Sequence, residues 1–162
     1  RRLIPCDGGA SRAESVLCGL RALPADARDW VLVHDAARPC LSRNALVRLL
    51  REGLQCQDGA ILAVPVHDTL KIADASARIE KTADRTRYWA AQTPQLFPAR
   101  ELAANLAAAL DAGESPTDEA AAMERAGARP LLVEDHRTNI KITGPEDLAL
   151  AQFILQRRAD DE

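Results

Sequence analysis

The stretch WVLVHDAARPC, residues 30–40, decides the fold class of this chain. Its first four residues are apolar and two of them are β-branched, which predicts a short buried strand. Polar and charged side chains follow at once: His34, Asp35 and Arg38. In open sheets of parallel strands, ligands bind beyond the carboxyl ends of the strands. The stretch therefore predicts a core strand that ends at a binding site.

The neighbouring segments extend this pattern into an alternation of strands and helices. Ser11 and Ser42 each precede a run with apolar residues at helical spacing, which predicts two capped helices. Residues 59–66 are apolar at both parities, as in a strand buried on both faces. Further strands are expected at residues 3–5, 88–97, 130–134 and 139–143. The series predicts an α/β fold with a mostly parallel sheet and helices on both faces.

The middle of the chain has a different pattern. Residues 68–72 and 78–82 alternate apolar with polar side chains, and a short polar segment separates them. This predicts an exposed hairpin, a β-arm at about residues 67–87, of the kind that often contacts a partner subunit. No linker rich in Pro, Gly or Ser divides the chain, so we expect one domain over residues 1–162 with one projecting arm.

Composition narrows the class of protein. The 162 residues are 47% hydrophobic and 28% charged, with a net charge of -3, which is ordinary for a globular domain. Lys and Arg are scattered and aromatic residues are few, so nucleic acid is not an expected partner. No long apolar run predicts a membrane span, and the cytoplasm is the default location. The chain opens with Arg1 rather than Met, and we expect a segment before it.

The four cysteines are widely spaced and form no zinc-ligand pattern, which predicts buried free thiols. The glycine pair Gly8-Gly9 precedes a helix and could approach an anion closely, although an ordinary turn explains such a pair better. Asp35 could bind a metal ion or a sugar hydroxyl, or it could be a cap or turn residue. Arg38 suits either a phosphate or a surface ion pair.

Three further positions carry charges or caps. Lys141 is expected in a strand, opposite its apolar neighbours, as a point charge suited to phosphate. Arg85 follows the arm, and spacing alone favours a solvated residue there. Thr117 is expected to cap a helix whose first turn holds Asp118 and Glu119, which is routine helix stabilisation.

Six strings together resemble one known family. DGGASRAESVLCGL, VLVHDAARPC, GAILAVPVHDTLK, QTPQLF, TDEA and NIKITGPEDLALA occur in the order and approximate spacing of the 2-C-methyl-D-erythritol 4-phosphate cytidylyltransferases. The resemblance implies a glycosyltransferase-A-like nucleotide-binding fold and a homodimer formed through the β-arm. It also implies transfer of a cytidylyl group from CTP to methylerythritol phosphate, with Mg²⁺ as the cofactor and diphosphate as the leaving group.

The resemblance also implies roles for individual residues. It places at the nucleotide Gly8, Gly9, Ser15, Asp35 and Ala36. It places at the acceptor substrate Asp35, Arg38, Thr69, Arg85, Thr93, Thr117 and Lys141. Within these sets Asp35 is the implied metal ligand, while Arg85 and Lys141 are implied as the catalytic pair that positions the acceptor phosphate, with Arg85 reaching a neighbouring subunit.

Two departures from the family pattern stand out. Ala10 occupies a position where the family commonly has an acidic residue, and no part of the chain matches the family's glycine-rich loop for the triphosphate. We therefore expect this chain alone to be inactive. Two alternatives remain open: a ribitol-5-phosphate cytidylyltransferase, and a catalytically silent dimerisation or binding fragment. His34 has no expected role.

Overall fold

A computed structural model describes residues 3–24 and 29–161 of the chain. A 3-10 turn at Arg85–Arg87 accompanies the regular elements within these ranges. The regular elements are, in chain order, α1 (Arg12–Ala22), β1 (Trp30–Val33), α2 (Arg43–Gly53), β2 (Ala60–Pro65), β3 (Lys71–Ala73), β4 (Ile79–Thr82), β5 (Trp89–Pro98), α3 (Ala99–Asp111), α4 (Glu119–Arg125), β6 (Leu131–Glu134) and α5 (Pro145–Asp161).

The main sheet has the strand order β1-β5-β2-β6. Strand β5 is antiparallel to both β1 and β2, whereas β2 and β6 are parallel. Three of the four strands therefore run in one direction, which confirms a mixed, mostly parallel α/β sheet. The chain leaves the sheet at the end of β2, passes through β3 and β4, and returns to the sheet as β5. Strand β5 therefore runs antiparallel to both of its neighbours, β1 and β2.

Helices cover both faces of this sheet, as predicted. Ile61 and Phe97 point into one core with side chains of α1, α3 and α4. Leu62 and Leu96 point into the opposite core, where Leu49 of α2 packs against them. Successive strand residues face opposite sides, so a strand between two helix layers needs apolar residues at both parities. Strand β2 meets this requirement along its length.

The two predicted serine caps are confirmed. The Ser11 hydroxyl accepts a hydrogen bond from the Glu14 backbone N–H, and the Glu14 carboxylate closes a reciprocal capping box. The Ser42 hydroxyl accepts from the Ala45 backbone N–H at the start of α2. Helix α1 begins directly after the glycine pair, so its position is fixed next to the loop that the sequence marks as a candidate site.

The predicted β-arm is present as a two-stranded antiparallel hairpin of β3 and β4. All residues of both strands are exposed, including Ile72 and Ile79. The hairpin pairs with neither edge of the main sheet. It therefore presents apolar side chains away from both cores.

Two predicted strands are wrong. Residues 3–9 carry no strand pairing among the described residues, and residues 139–143 form a loop instead of a strand. In this loop the Ile142 backbone N–H donates to the Ala37 carbonyl at 2.8 Å, and the Asn139 carbonyl accepts from the Arg38 side chain. The backbone groups of the loop are therefore satisfied by the 35–38 turn and not by a neighbouring strand.

Gly59, at the entry to β2, requires the absence of a side chain. Its φ of +84° is left-handed, and a Cβ there would overlap the Phe97 ring. We expect Gly59→Ala to lower the free energy of unfolding by about 2 kcal/mol, since backbone strain and steric overlap add. Gly113 has a similar φ of +76° with no atom near its Cβ position. Gly113→Ala therefore measures the backbone strain alone, and we expect it to lower the free energy of unfolding by about 1 kcal/mol.

Chemical denaturation of both variants measures the difference. Equal losses in Gly59→Ala and Gly113→Ala would contradict a steric contribution from Phe97.

Candidate active site

Asp35 lies directly beyond β1, at the edge of the sheet that the sequence predicted as a site. Its backbone N–H donates to the Thr93 hydroxyl at 3.0 Å, and its backbone carbonyl accepts from the Arg38 N–H at 2.9 Å. Thr93 belongs to the adjacent strand β5 and is buried. The turn that carries Asp35 is therefore anchored on the neighbouring strand.

Both carboxylate oxygens of Asp35 face cations. Oδ1 lies 3.3 Å from Nη2 of Arg12, and Oδ2 lies 3.0 Å from Nζ of Lys141. Burial raises the pKa of the Asp35 carboxyl, but hydrogen bonding and charge attraction from Lys141, followed by Arg12, outweigh it and lower the pKa below its ordinary value. Asp35 is therefore an anion at neutral pH.

The loop around Lys141 is held by the Asp35 turn. Arg38 Nη1 donates to the Asn139 carbonyl at 2.7 Å, and Ile142 N–H donates to the Ala37 carbonyl at 2.8 Å. These two bonds bracket Lys141 and direct its ammonium to Asp35. Arg38, expected either at a phosphate or in a surface ion pair, here uses Nη1 to hold the backbone of this loop.

A second carboxylate enters the cluster from α4, and sequence reasoning missed it. Glu119 has a fully buried side chain, and its two oxygens accept from Arg12 Nη1 at 2.7 Å and Nη2 at 3.0 Å. The hydrogen bonding of the Arg12 guanidinium to the Glu119 carboxylate is the main cause of the raised pKa of Arg12. One signal was available: Glu119 lies four residues before the buried Met123, on the apolar face of its helix.

The predicted cap of α4 is wrong by one residue. Asp118 is the N-cap: its Oδ1 accepts from the Ala121 N–H and its Oδ2 accepts from the Gln95 side chain, each at 2.9 Å. Thr117 is exposed and precedes the cap. The buried Gln95 amide also accepts from the Ala120 N–H at 2.9 Å, so β5 fixes the start of α4. This contact places Glu119 inside the protein.

His34 links two of the expected site residues, although no role was expected for it. Its Nε2 lies 3.1 Å from the Arg38 carbonyl, and its Nδ1 lies 3.0 Å from the Thr93 hydroxyl. A carbonyl oxygen only accepts, so in the neutral ring Nε2 carries the proton and Nδ1 accepts from Thr93. The Thr93 hydroxyl therefore points its hydrogen to His34 and keeps an acceptor position for a ligand.

Thr93 also rests on a buried polar layer. Asn139 Nδ2 donates to the Thr93 carbonyl and to the Asp135 carboxylate, both at 2.9 Å. Asn139, Asp135 and Gln92 are all buried. Hydrogen bonds within this layer connect β5, the end of β6 and the loop that carries Lys141. The site is therefore supported by a hydrogen-bonded layer inside the protein.

The glycine pair and Ser15 come together at the start of α1. The Gly9 N–H donates to the Ser15 hydroxyl at 3.0 Å, and that hydroxyl donates to the Ser11 carbonyl at 2.9 Å. A Cβ at Gly9 would overlap the Glu14 side chain, so only glycine fits there. This loop is exposed at Gly8, Gly9 and Ala10. Close approach of a ligand to its backbone is therefore possible.

The remaining expected site residues lie outside the Asp35 cluster. Ala36 is exposed in the turn after Asp35, and Thr69 is exposed in the segment between β2 and β3. Arg85 is at the base of the arm, where its guanidinium donates to the His67 carbonyl. No hydrogen bond joins Thr69, Thr117 or Arg85 to Asp35 in the described parts of the chain.

A divalent cation could use only a small protein ligand set here. Over residues 3–24 and 29–161 there is no group of three or more His, Cys, Asp and Glu side chains that could hold a metal. Asp35 is the carboxylate of the cluster that retains exposure, at 16% of its side chain. One carboxylate together with substrate phosphates is a common arrangement for Mg²⁺, so this donor set fits that ion.

Two other expectations concern the whole chain. The four cysteines are free thiols, as predicted, but the expected burial is found only at Cys40, since Cys6 is exposed and the other two are partly exposed. Among the helices of the described ranges, none has the length and apolar character needed to span a membrane.

Comparison with known proteins shows the family. The family model described as 2-C-methyl-D-erythritol 4-phosphate cytidylyltransferase matches residues 2–157. Among curated relatives with this name, that of Tolumonas auensis is 54% identical over 93% of this chain and 65% of its own length. That of Stenotrophomonas maltophilia is 54% identical over 97% of this chain and 68% of its own length. The chain thus spans about two thirds of the length of these relatives.

Solved structures agree with this comparison. A crystal structure of 4-diphosphocytidyl-2C-methyl-D-erythritol synthase superposes with a TM-score of 0.83 at 45% identity, covering 92% of this chain and 69% of that one. The cytidylyltransferase of Thermus thermophilus gives a TM-score of 0.82 at 35% identity, covering 93% and 72%. Fold and sequence agree over nearly the whole chain, and the chain belongs to the 2-C-methyl-D-erythritol 4-phosphate cytidylyltransferase family.

Proposed function

We propose that the protein transfers a cytidylyl group from CTP to 2-C-methyl-D-erythritol 4-phosphate in isoprenoid precursor biosynthesis. A phosphate oxygen of the acceptor attacks the α-phosphorus of CTP, the bond to the leaving diphosphate breaks, and its electron pair remains on diphosphate. The observation that carries the proposal is the Lys141–Asp35 pair beyond β1, in a chain of this family. Phosphoryl-type transfers depend mainly on positioning and electrostatics, which a cluster of fixed charges can supply.

In this proposal Lys141 binds the acceptor phosphate. Its side chain is 46% exposed and its ammonium is already fixed by Asp35, so a phosphate could approach it from solvent without rearrangement of the loop. Asp35 would orient Lys141 until the acceptor binds, and it would face the nucleotide on its other side. The Thr93 hydroxyl, with its hydrogen on His34, would accept a hydrogen bond from an acceptor hydroxyl.

Asp35 would also hold Mg²⁺ together with the CTP phosphates. The bound ion would neutralise charge on the α-phosphate and on the leaving diphosphate. Lys141 occupies Oδ2 of Asp35 in the structure, so binding of the ion and release of Lys141 toward the acceptor are expected together.

The nucleotide side of the proposed site uses the loop before α1. Gly8, Gly9 and Ser15 would place backbone N–H groups and one hydroxyl near the cytidine part of CTP. The observation that supports this proposal is the close packing of Ser15 against the Gly8-Gly9 backbone. Ala10 provides no carboxylate there, so we expect backbone groups to contribute more of the contacts to base and ribose.

The remaining acceptor contacts are proposed for Thr69, Thr117 and Arg38. Thr69 and Thr117 are both exposed. Arg38 would act mainly through the Lys141 loop, which it holds.

CTP is a cytoplasmic nucleotide, and we propose a cytoplasmic location on that basis.

A direct assay tests the proposed function. The protein, expressed at the full length of its relatives, is incubated with CTP, Mg²⁺ and methylerythritol phosphate, and diphosphate release is measured. Ribitol 5-phosphate is tested in parallel. Faster release with methylerythritol phosphate supports the proposal, a preference for ribitol phosphate identifies the sister activity, and no release with either indicates a silent binding protein. The 162-residue chain alone should show little turnover because it spans about two thirds of the length of its relatives.

We also propose a homodimer in which Arg85 of the arm completes the site of the partner subunit. The exposed apolar residues Ile72 and Ile79 on the arm support an interface there. The Arg85 side chain bonds only to the arm backbone among its hydrogen bonds in the described ranges, which agrees with a role away from its own Asp35.

Mixing two inactive variants tests this arrangement. Arg85→Ala protomers combined with Asp35→Asn protomers should recover about a quarter of the wild-type activity, because mixed dimers contain one complete site. Each variant alone is the control. Absence of recovery after verified subunit exchange would contradict a site shared between subunits.

A further inference from the structure

Glu119 is the most deeply buried charged side chain of the cluster, and its hydrogen bonds within the cluster are to Arg12. Its side chain is 0% exposed, and both of its oxygens are bonded to Arg12 at 2.7 and 3.0 Å. Arg12 is partly exposed and makes one longer contact, 3.3 Å, to Asp35. Arg12 therefore lies between two carboxylates and is bound much more closely to the buried one.

The difference in geometry has an electrostatic consequence. A guanidinium paired through two bonds to a carboxylate is held in orientation and largely neutralised. An unpaired guanidinium in the same place would form the equivalent two-bond pair with Asp35, since Asp35 Oδ1 is already within 3.3 Å of Nη2. Such a pair would occupy both Asp35 oxygens, which are the groups that face Lys141 and the proposed cation site.

We propose that Glu119 is a positioning residue that acts through Arg12: by holding the guanidinium, it limits Arg12 to a single 3.3 Å contact with Asp35, so that this carboxylate can bind a divalent cation together with CTP. This inference rests on the proposed function, because it assigns the cation and CTP to the same site. Glu119 itself touches neither ligand. Its effect on the site passes through one side chain, Arg12.

The structure also explains why Glu119 can do this from within the core. The Gln95 side chain accepts from the Ala120 N–H and donates to Asp118, so it fixes the first turn of α4 against β5. A carboxylate held in a fixed, buried position and satisfied by two hydrogen bonds is a rigid partner, whereas an exposed glutamate would move with its side chain.

The test compares a single and a double variant by calorimetric titration with CTP, in the presence and in the absence of Mg²⁺. The CTP affinity with Mg²⁺, divided by the CTP affinity without it, measures how much the ion contributes to binding. We expect Glu119→Gln to reduce this ratio roughly fivefold, because the released Arg12 pairs with Asp35. In Arg12→Met/Glu119→Gln no guanidinium remains to compete, and the ratio should return to at least the wild-type value.

The double variant separates positioning from a purely structural role. Loss of packing alone would leave the double variant with a ratio no better than that of Glu119→Gln. A Glu119→Gln ratio equal to that of wild type, or a double variant as weak as the single one, would overturn the inference. If Glu119→Gln does not fold, the double variant decides alone, since a ratio below wild type contradicts the proposal.

An exposed ion pair provides a matched control. Arg125 Nε and Nη2 contact the two oxygens of Glu114 at 2.8 and 3.3 Å, with both side chains exposed. Glu114→Gln and Arg125→Met/Glu114→Gln make the same chemical changes there and should leave the ratio unchanged. Wild-type protein that gains no CTP affinity from Mg²⁺ would contradict the proposed function as well, whereas a wild-type gain that Glu119→Gln retains contradicts this inference alone.

Discussion

Asp35→Asn is expected to lower the turnover of the proposed reaction by about three orders of magnitude. Asparagine keeps the shape but removes the charge, and it replaces one of two acceptor oxygens by a donor. Both oxygens of Asp35 face cations in the structure, Arg12 at 3.3 Å and Lys141 at 3.0 Å. The variant therefore loses the anchor of Lys141 and the carboxylate that fits Mg²⁺.

The same substitution should change stability little. Lys141 is 46% exposed and can return to water, and Arg12 keeps Glu119 as its partner. We expect a loss of about 1 kcal/mol or less in the free energy of unfolding. Diphosphate release and chemical denaturation measure the two effects. Asp111→Asn, at an exposed position of α3, is the control. More than about a tenth of wild-type activity in Asp35→Asn would rule out the role proposed for this carboxylate.

Lys141→Ala should reduce turnover by about two orders of magnitude, because it removes the positive charge proposed to bind the acceptor phosphate. The backbone of its loop is held by Arg38 and by the Ala37 carbonyl, not by the lysine side chain. Folding should therefore be almost unaffected. Steady-state kinetics with varied acceptor concentration should show a lower kcat and a higher KM for the acceptor.

A charge-conserving variant sharpens this test. Lys141→Arg retains the charge but presents it on a planar group, and we expect it to keep part of the activity that Lys141→Ala loses. Arg100→Ala removes an exposed cation from α3 and should have no effect. Kinetics of Lys141→Ala that match those of Arg100→Ala would show that the Asp35–Lys141 pair has only a structural role.

Local signals predicted the elements of the fold well. The apolar character of residues 60–64 at both parities followed from burial on both faces, and the caps at Ser11 and Ser42 followed from side-chain chemistry within one helical turn. The alternation in the arm likewise predicted a hairpin. Each of these depends on residues close together in the chain, where the sequence contains most of the information.

Pairings between distant segments were not predictable in the same way. The position of β5 between β1 and β2 depends on which strands it pairs with after the arm. The local sequence of β5 does not show whether it runs parallel or antiparallel to them. The 139–143 loop has the alternation of a strand, but the Asp35 turn supplies partners for its backbone. Tertiary contacts therefore replaced the strand that local pattern indicated.

The sequence by itself determined the layered α/β plan, the arm and the delivery of Asp35 to the end of a core strand, because these follow from local periodicity and burial. Only the tertiary structure decided which charges meet there. Arg12 and Glu119 are 107 positions apart, and each is unremarkable within its own helix. Folding buries one carboxylate beside a guanidinium and leaves the other at the surface, and this difference in burial gives Glu119 and Asp35 different chemistry.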